Sequence, residues 1–267
     1  MALNDQSTRI RDGEELDAAI IDSYLKAHIP GLSGEPQISQ FPGGASNLTY
    51  LLEYPQQEFV LRRPPFGHKA KSAHDMGREY RILNQLNAGF PYCPKAYVHC
   101  TDESVIGSEF YVMERVNGII LRADLPAELN FSPEQTTQLC KSFIDKLVEL
   151  HNVDYQACGL GDLGKPEGYV ARQISGWSDR YEKALTPDAP LWTEVKAWLN
   201  EKMPADHPKP AIVHNDYRFD NVILDPRDPQ RIIGVLDWEL TALGGPLMDL
   251  GNTLAYWIEA GDPAPVQ

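Results

Sequence analysis

Between Ile212 and Trp238 the chain reads I-V-H-N-D-Y-R-F-D-N-V-I-L-D-P-R-D-P-Q-R-I-I-G-V-L-D-W, and no other stretch constrains the rest as much. An apolar lead-in, Ala211 to Val213, delivers His214 and Asp216; Asn221 follows, and Asp237 closes the segment. Val222 to Leu224 and Ile232 to Leu236 are apolar runs, and the Asp- and Pro-rich segment Asp225 to Gln230 between them has the composition of a turn. A hairpin brings its two ends together. Asn221 and Asp237 are therefore expected side by side at its open end.

Oxygen-bearing side chains in this order suit the movement of a phosphoryl group. In an H-x-D-x-x-x-x-N loop the Asp orients an acceptor hydroxyl and takes its proton, while the Asn and a later Asp hold magnesium on the nucleotide phosphates. Asp216, with His214 beside it, is thus the catalytic candidate, and Asn221 and Asp237 are the metal candidates. H-x-D alone arises easily by chance in a chain with 38 acidic residues. The joint pattern is much rarer.

Those acids stand against 24 Lys and Arg, for a formal charge of −14, which argues against a nucleic acid or an anionic membrane as the main partner. The four cysteines show no C-x-x-C spacing, the N-terminus has neither a basic nor an apolar leader region, and no apolar run reaches membrane-spanning length. A cytoplasmic protein with reduced, structural thiols is the expectation. No pattern specifies a symmetric interface, so the oligomeric state stays open.

The first part of the chain is rich in strand patterns. Leu16, Ala19, Ile20, Tyr24 and Ala27 recur at helical spacing, and strands are expected over Gln37–Phe41, Leu48–Glu53, Glu58–Arg62, Lys95–His99 and Glu109–Met113. Between the first two strands lies P-G-G-A-S-N-L-T-Y, where Gly43, Gly44 and Ser46 suit a loop whose backbone N–H groups approach phosphate, although a plain turn reads the same way. On the third strand, alternation puts Val60 and Arg62 on one face and Leu61 and Arg63 on the other. Only one of the two arginines can then point into a cleft, which leaves Arg63 dispensable for binding. A helix is expected over Ala70–Asn87, with Met76, Tyr80, Leu83 and Leu86 as its buried stripe and Glu79 at the edge of that stripe.

From Ser132 onward the pattern is mostly helical. Ser132 as N-cap, Pro133 at the first helical position and Gln135 at the capping-box position open a helix whose stripe is Leu139, Phe143, Leu147 and Leu150. His151 at its end is read as a residue placed favourably against the helix dipole. Tyr169–Ala184 and Leu191–Lys202 follow as helices, with Trp177, Trp192, Val195, Trp198 and Leu199 expected in the core.

Several motifs carry a resemblance to the aminoglycoside phosphotransferase/choline kinase family, which has a protein-kinase-like fold. They are G-G-A-S-N-L-T-Y (Gly43 to Tyr50), F-V-L-R-R-P-P (Phe59 to Pro65), R-E-Y (Arg78 to Tyr80), F-Y-V-M-E-R-V-N-G (Phe110 to Gly118), H-N-D-Y-R-F-D-N and L-D-W-E (Leu236 to Glu239). The chain particularly resembles the branch fused to acyl-CoA dehydrogenase domains in some larger proteins. The resemblance implies an α+β bilobal fold, with a small lobe of antiparallel sheet and one helix over residues 1–116 and a larger, mainly helical lobe over 117–267. It also implies that Glu114 to Val116 form a hinge whose backbone binds adenine, that Glu79 partners the phosphate-binding cation, and that Asp249 steadies the catalytic region. Where the family often has Lys, this chain has Arg62, which keeps the charge and changes its geometry. Eighteen residues follow Asp249, where family members usually carry further helices.

The function expected is ATP- and magnesium-dependent transfer of the γ-phosphoryl group to a hydroxyl of a small molecule. The alternative is a nucleotide-binding regulatory module without transfer activity. A phosphohydrolase using Asp216 as nucleophile fits the spacing less well.

Overall fold

In the computed structural model, which describes residues 6–42, 47–65, 75–122, 125–259 and 261–263, the chain divides into two compact units. One is built of Met1–Lys146 and Phe219–Glu239, the other of Leu147–Arg218 and Leu240–Gln267.

The first unit is organised around five antiparallel strands: β1 (Gln37–Gln40), β2 (Leu48–Glu53), β3 (Glu58–Arg63), β4 (Ala96–Cys100) and β5 (Phe110–Glu114), in the order β1-β2-β3-β5-β4. Tyr50, Leu52, Phe59, Leu61, Val98, Cys100, Phe110 and Val112 join Ile21 and Leu25 of helix α1 (Ala18–His28) in one buried cluster. Because side chains alternate along a strand, Val60 and Arg62 face the other way. Arg62 lies between Thr49 of β2 and Tyr111 of β5, and helix α2 (Met76–Leu86) contacts β4 and β5.

Two helix starts and one stripe differ from expectation. The Asp17 carboxylate accepts the N–H groups of Ala19 and Ile20, so α1 begins after Leu16 and buries Ile21 and Leu25 while Ile20 is exposed. Asp75 likewise caps α2 by accepting the Arg78 N–H at 2.8 Å, so the helix opens at Met76 rather than Ala70; residues 70–74 lie outside the described residues. On α2 the buried side chains are Met76, Glu79, Ile82, Leu83 and Leu86, and Tyr80 is half-buried, stacked on His99.

The expected hairpin is present as β7 (Val222–Leu224) paired antiparallel with β8 (Ile232–Val235), after β6 (Ala211–Val213) of the other unit in chain order. The Leu236 N–H donates to the Asn221 carbonyl at 2.8 Å and closes the open end. Ile119 and Leu224 exchange both backbone hydrogen bonds, at 2.9 and 2.8 Å, which docks the hairpin against the chain that follows β5. Gly118 permits that approach. A Cβ there would stand 2.4 Å from both Ile223 Cγ2 and the Leu224 carbonyl oxygen.

Helix α3 (Pro133–His151) opens on the expected capping box. The Ser132 hydroxyl accepts the Gln135 N–H at 3.3 Å, and the Gln135 side chain accepts the Ser132 N–H at 2.9 Å. Leu139, Phe143, Leu147 and Leu150 are all buried, as their spacing predicts.

The second unit contains α4 (Tyr169–Ala184), α5 (Thr193–Glu201), the β6–β9 pair with β9 at Ala242–Gly244, and α6 (Pro246–Leu254). Trp177, Trp192 and Trp198 are 60%, 54% and 58% exposed, and Val195 is exposed as well, which corrects their assignment to the core. Helical spacing identifies an apolar face and is silent on what covers it. Among the described residues no helix is long and apolar enough to cross a membrane.

Gly118→Ala is expected to destabilise the protein by roughly 1–3 kcal/mol, because the methyl group must displace backbone rather than the end of a flexible side chain. Urea denaturation of the variant beside wild type measures the loss.

Candidate active site

In the first unit the outward face of β3, the residues after β5 and the β7–β8 hairpin enclose a cavity of about 130 Å³. Val60, Arg62, Glu114, Val116, Asn221 and Asp237 are among its lining residues. Arg62 is anchored from behind: its Nη1 donates to Glu79 Oε1 of α2 at 2.5 Å, and its Nη2 stands 3.6 Å from Asp237 Oδ1. Strand alternation therefore selects Arg62 for the cavity, as expected, and its partner is Glu79. Arg63 points to the opposite face. It is absent from the cavity lining, and it is also buried, donating to the Ile106 carbonyl at 3.0 Å.

Burial pushes the Glu79 carboxyl up to about 7 against the downward pull of Arg62, and the negative charges of Asp237 and Glu239 add to the rise. Burial, the largest single effect, lowers the pKa of the Arg62 guanidinium; the charges of Glu79, Tyr111, Asp237 and Glu239 together outweigh it and raise it. The cation thus remains charged.

A divalent cation fits this cluster. Asp237 Oδ1 is buried with no hydrogen-bond donor among the described residues, beside the amide of Asn221 at the mouth of the same hairpin. Hard oxygen donors of this kind suit magnesium. Asp237 has φ +66°, in the left-handed region that a non-glycine residue occupies only where its surroundings hold it.

In the second unit Asp216 follows a turn held at many points. Asp249 of α6 is completely buried and accepts the N–H of His214 and of Asn215, both at 2.8 Å. His151 Nε2 lies 2.9 Å from the same carboxylate, so this residue is bound to the loop's anchor rather than only facing a helix end. Asn215 has φ +63° and is gripped by the Tyr169 hydroxyl, which donates to its side-chain oxygen at 2.9 Å, and by the Leu240 carbonyl, which accepts from its amide at 2.9 Å. His214 is fully buried, and its Nδ1 accepts the Asp216 N–H at 3.2 Å. The ring supports the backbone of Asp216.

Arg218 has no place in the spacing argument, yet its Nε stands 3.1 Å from Asp216 Oδ1 and its guanidinium lies over the Tyr256 ring. Arg78 and Asn47 escape that argument in the same way, and each bonds Glu239. Gly43, Gly44 and Ser46, expected to meet phosphate, lie outside the described residues.

An antiparallel sheet with a helix-paired arginine, joined in one chain to a mainly helical unit carrying an H-x-D loop, is the α+β architecture of the kinase-like phosphotransferases. The chain belongs to the phosphotransferase enzyme family, whose profile matches residues 37–267. It is 36% identical over 263 residues to acyl-CoA dehydrogenase family member 11 of Gallus gallus, covering 96% of this chain and 33% of that protein. The human protein of the same name is 36% identical over 248 residues, covering 91% of this chain and 31% of its own length. The chain thus spans about a third of these relatives. Among solved structures, a "putative aminoglycoside phosphotransferase" of Ralstonia eutropha superposes with a TM-score of 0.79 at 36% identity, covering 92% of this chain and 71% of that one.

With Arg62 as the candidate phosphate-binding cation, Arg62→Ala is expected to weaken ATP binding about tenfold or more, the worth of charge-assisted bonds to phosphate, while Arg63→Ala leaves it unchanged and lowers stability by roughly 1–3 kcal/mol through the unsatisfied Ile106 carbonyl. Titration calorimetry and denaturant unfolding on both variants separate the two effects. The raised Glu79 carboxyl also implies a pH dependence. From about pH 4.5 to about pH 7 the folded form keeps a proton that the unfolded form has released, so this group makes stability fall as pH rises across the window. Melting temperatures of Glu79→Gln over the same range should show a shallower decline than wild type.

Proposed function

We propose that this chain transfers the γ-phosphoryl group of ATP to a hydroxyl of a small molecule, with magnesium as the metal. The observation that carries the reading is the collection of Arg62, Asn221 and Asp237 in one cavity beside Glu114 and Val116. Phosphoryl transfer needs positioning and charge neutralisation more than covalent chemistry. Arg62 supplies a forked cation, held by Glu79, for the phosphate oxygens. Asn221 and Asp237 hold the metal, which when bound neutralises charge on the β- and γ-phosphoryl oxygens. The backbone from Glu114 to Val116 receives the adenine.

Asp216 orients the acceptor hydroxyl and takes its proton. Arg218, whose Nε stands 3.1 Å from Oδ1 of that carboxylate, helps fix the orientation of the side chain. His214 serves this step by supporting the loop. The acceptor is a small hydroxyl compound, neither a nucleic acid nor a membrane component, in the cytoplasm where ATP and magnesium are supplied. The names of the relatives make hydroxylated acyl thioesters the first acceptors to test, alongside aminoglycosides.

Asp216→Asn is expected to lower transfer by ~10²–10⁴-fold with nucleotide affinity nearly intact, the usual worth of a general base. The measurement is transfer of labelled γ-phosphate to an acceptor panel, with calorimetry for ATP. Wild-type turnover in the variant removes Asp216 from the role. Binding of ATP with magnesium by the wild-type protein, with no transfer to any acceptor, favours the regulatory module instead.

A further inference from the structure

Asp237 is the one proposed metal ligand in a strained backbone conformation, and what holds it there lies two residues downstream. On the upstream side Leu236 is tied by its N–H to the Asn221 carbonyl. Immediately after Asp237, Trp238 is 1% exposed, its indole N–H donates to the Val235 carbonyl at 3.0 Å, and its ring packs edge-on against Phe90. Glu239 is then gripped from two separate elements. Asn47, buried at the start of β2, donates through Nδ2 to Glu239 Oε2 at 3.1 Å. Arg78, from the first turn of α2, donates through Nη1 to the Glu239 backbone carbonyl at 2.9 Å.

We propose that Asn47 and Arg78 are positioning residues for the divalent cation: by clasping Glu239 they hold the left-handed backbone at Asp237 that keeps its carboxylate in the cavity with Arg62 and Asn221. The proposal rests on the reading of Asp237 as a metal ligand. A left-handed aspartate carries a conformational cost, which fixed flanks on both sides help to offset. Trp238 anchors the chain through its ring and a bond within the hairpin. The Glu239 clasp adds attachments to the sheet and to α2, the elements that also carry Arg62 and Glu79. Arg78 and Glu79 are adjacent on α2, so one helix turn sets both the cation and the loop that presents the metal ligand. Such outer partners of a metal site typically contribute about 10–100-fold in metal affinity.

The test measures Mn²⁺, a spectroscopic substitute for magnesium, binding to the protein saturated with ADP, by electron paramagnetic resonance. ADP affinity in EDTA and melting temperature are followed in parallel. Asn47→Ala and Arg78→Met are expected to lose about tenfold or more in Mn²⁺ affinity, while ADP affinity in EDTA stays within about twofold of wild type. Asn47→Asp sets one carboxylate against another and is expected to lose more than Asn47→Ala. Adding Glu239→Gln to Asn47→Asp restores a donor–acceptor pair with its polarity reversed and is expected to recover most of the affinity. A clasp that serves only the fold would lower melting temperature and leave Mn²⁺ affinity at wild type in the folded variants; that result overturns the proposal. Equal losses in Asn47→Asp and in the double variant overturn it too. Asp237→Asn tests the underlying reading by itself: unchanged Mn²⁺ affinity there removes Asp237 as a ligand, whereas loss there with wild-type affinity in the clasp variants rejects only the positioning role.

Discussion

A guanidinium taken out of water must find a negative partner, and the pairing of Arg62 with Glu79 is the constraint on which the candidate nucleotide site depends. The pair is almost wholly buried between β3 and α2. Removing a charge from water costs several kcal/mol per ion, so a buried pair is a poor source of stability and a strict requirement on geometry. Here it ties the register of a strand to the rotation of a helix. Tyr111 opposite Arg62 and Asp237 beside it complete a surrounding in which the cation is held from behind and open toward the cavity. The rise of the Glu79 carboxyl shows the tension of the arrangement: burial lifts it despite the pull of Arg62, and Asp237 and Glu239 add to the rise.

The proposed metal side of the cavity is built by a different device. The β7–β8 hairpin brings Asn221 and Asp237 together through one backbone bond, and Gly118 lets the hairpin lie against the chain leaving β5 without a side chain between them. The cost is concentrated at Asp237, whose backbone is left-handed. Strain of this kind survives where neighbours over-determine the conformation. The contacts of Trp238 and Glu239 supply that over-determination.

In the second unit the same logic operates around a carboxylate rather than a cation. Asp249 gathers two backbone N–H groups and the His151 ring, and the turn it holds again contains a left-handed non-glycine residue, Asn215. Each unit therefore stores backbone strain next to a residue proposed to act, and each restrains it with buried polar partners.

Much of this was legible in the sequence because it rests on short-range rules. Period-two alternation separates Val60 and Arg62 from Leu61 and Arg63, the Ser132 to Gln135 pattern states its own hydrogen bonds, and the spacing from Val222 to Leu236 specifies a hairpin whose ends meet. The motifs from Gly43 to Glu239 were enough to indicate the family. Tertiary structure alone decided the rest. Arg63 is buried and bonded to a carbonyl forty-three residues away, and Asn47 meets Glu239 across 192 positions, distances at which no local pattern carries information. The exposed tryptophans of α4 and α5 belong to the same class, since periodicity defines a face and only the packed chain determines whether anything covers it. The left-handed turns at Asn215 and Asp237 are the clearest case. Their residue types permit many conformations, and it is the partners brought from distant segments that select one.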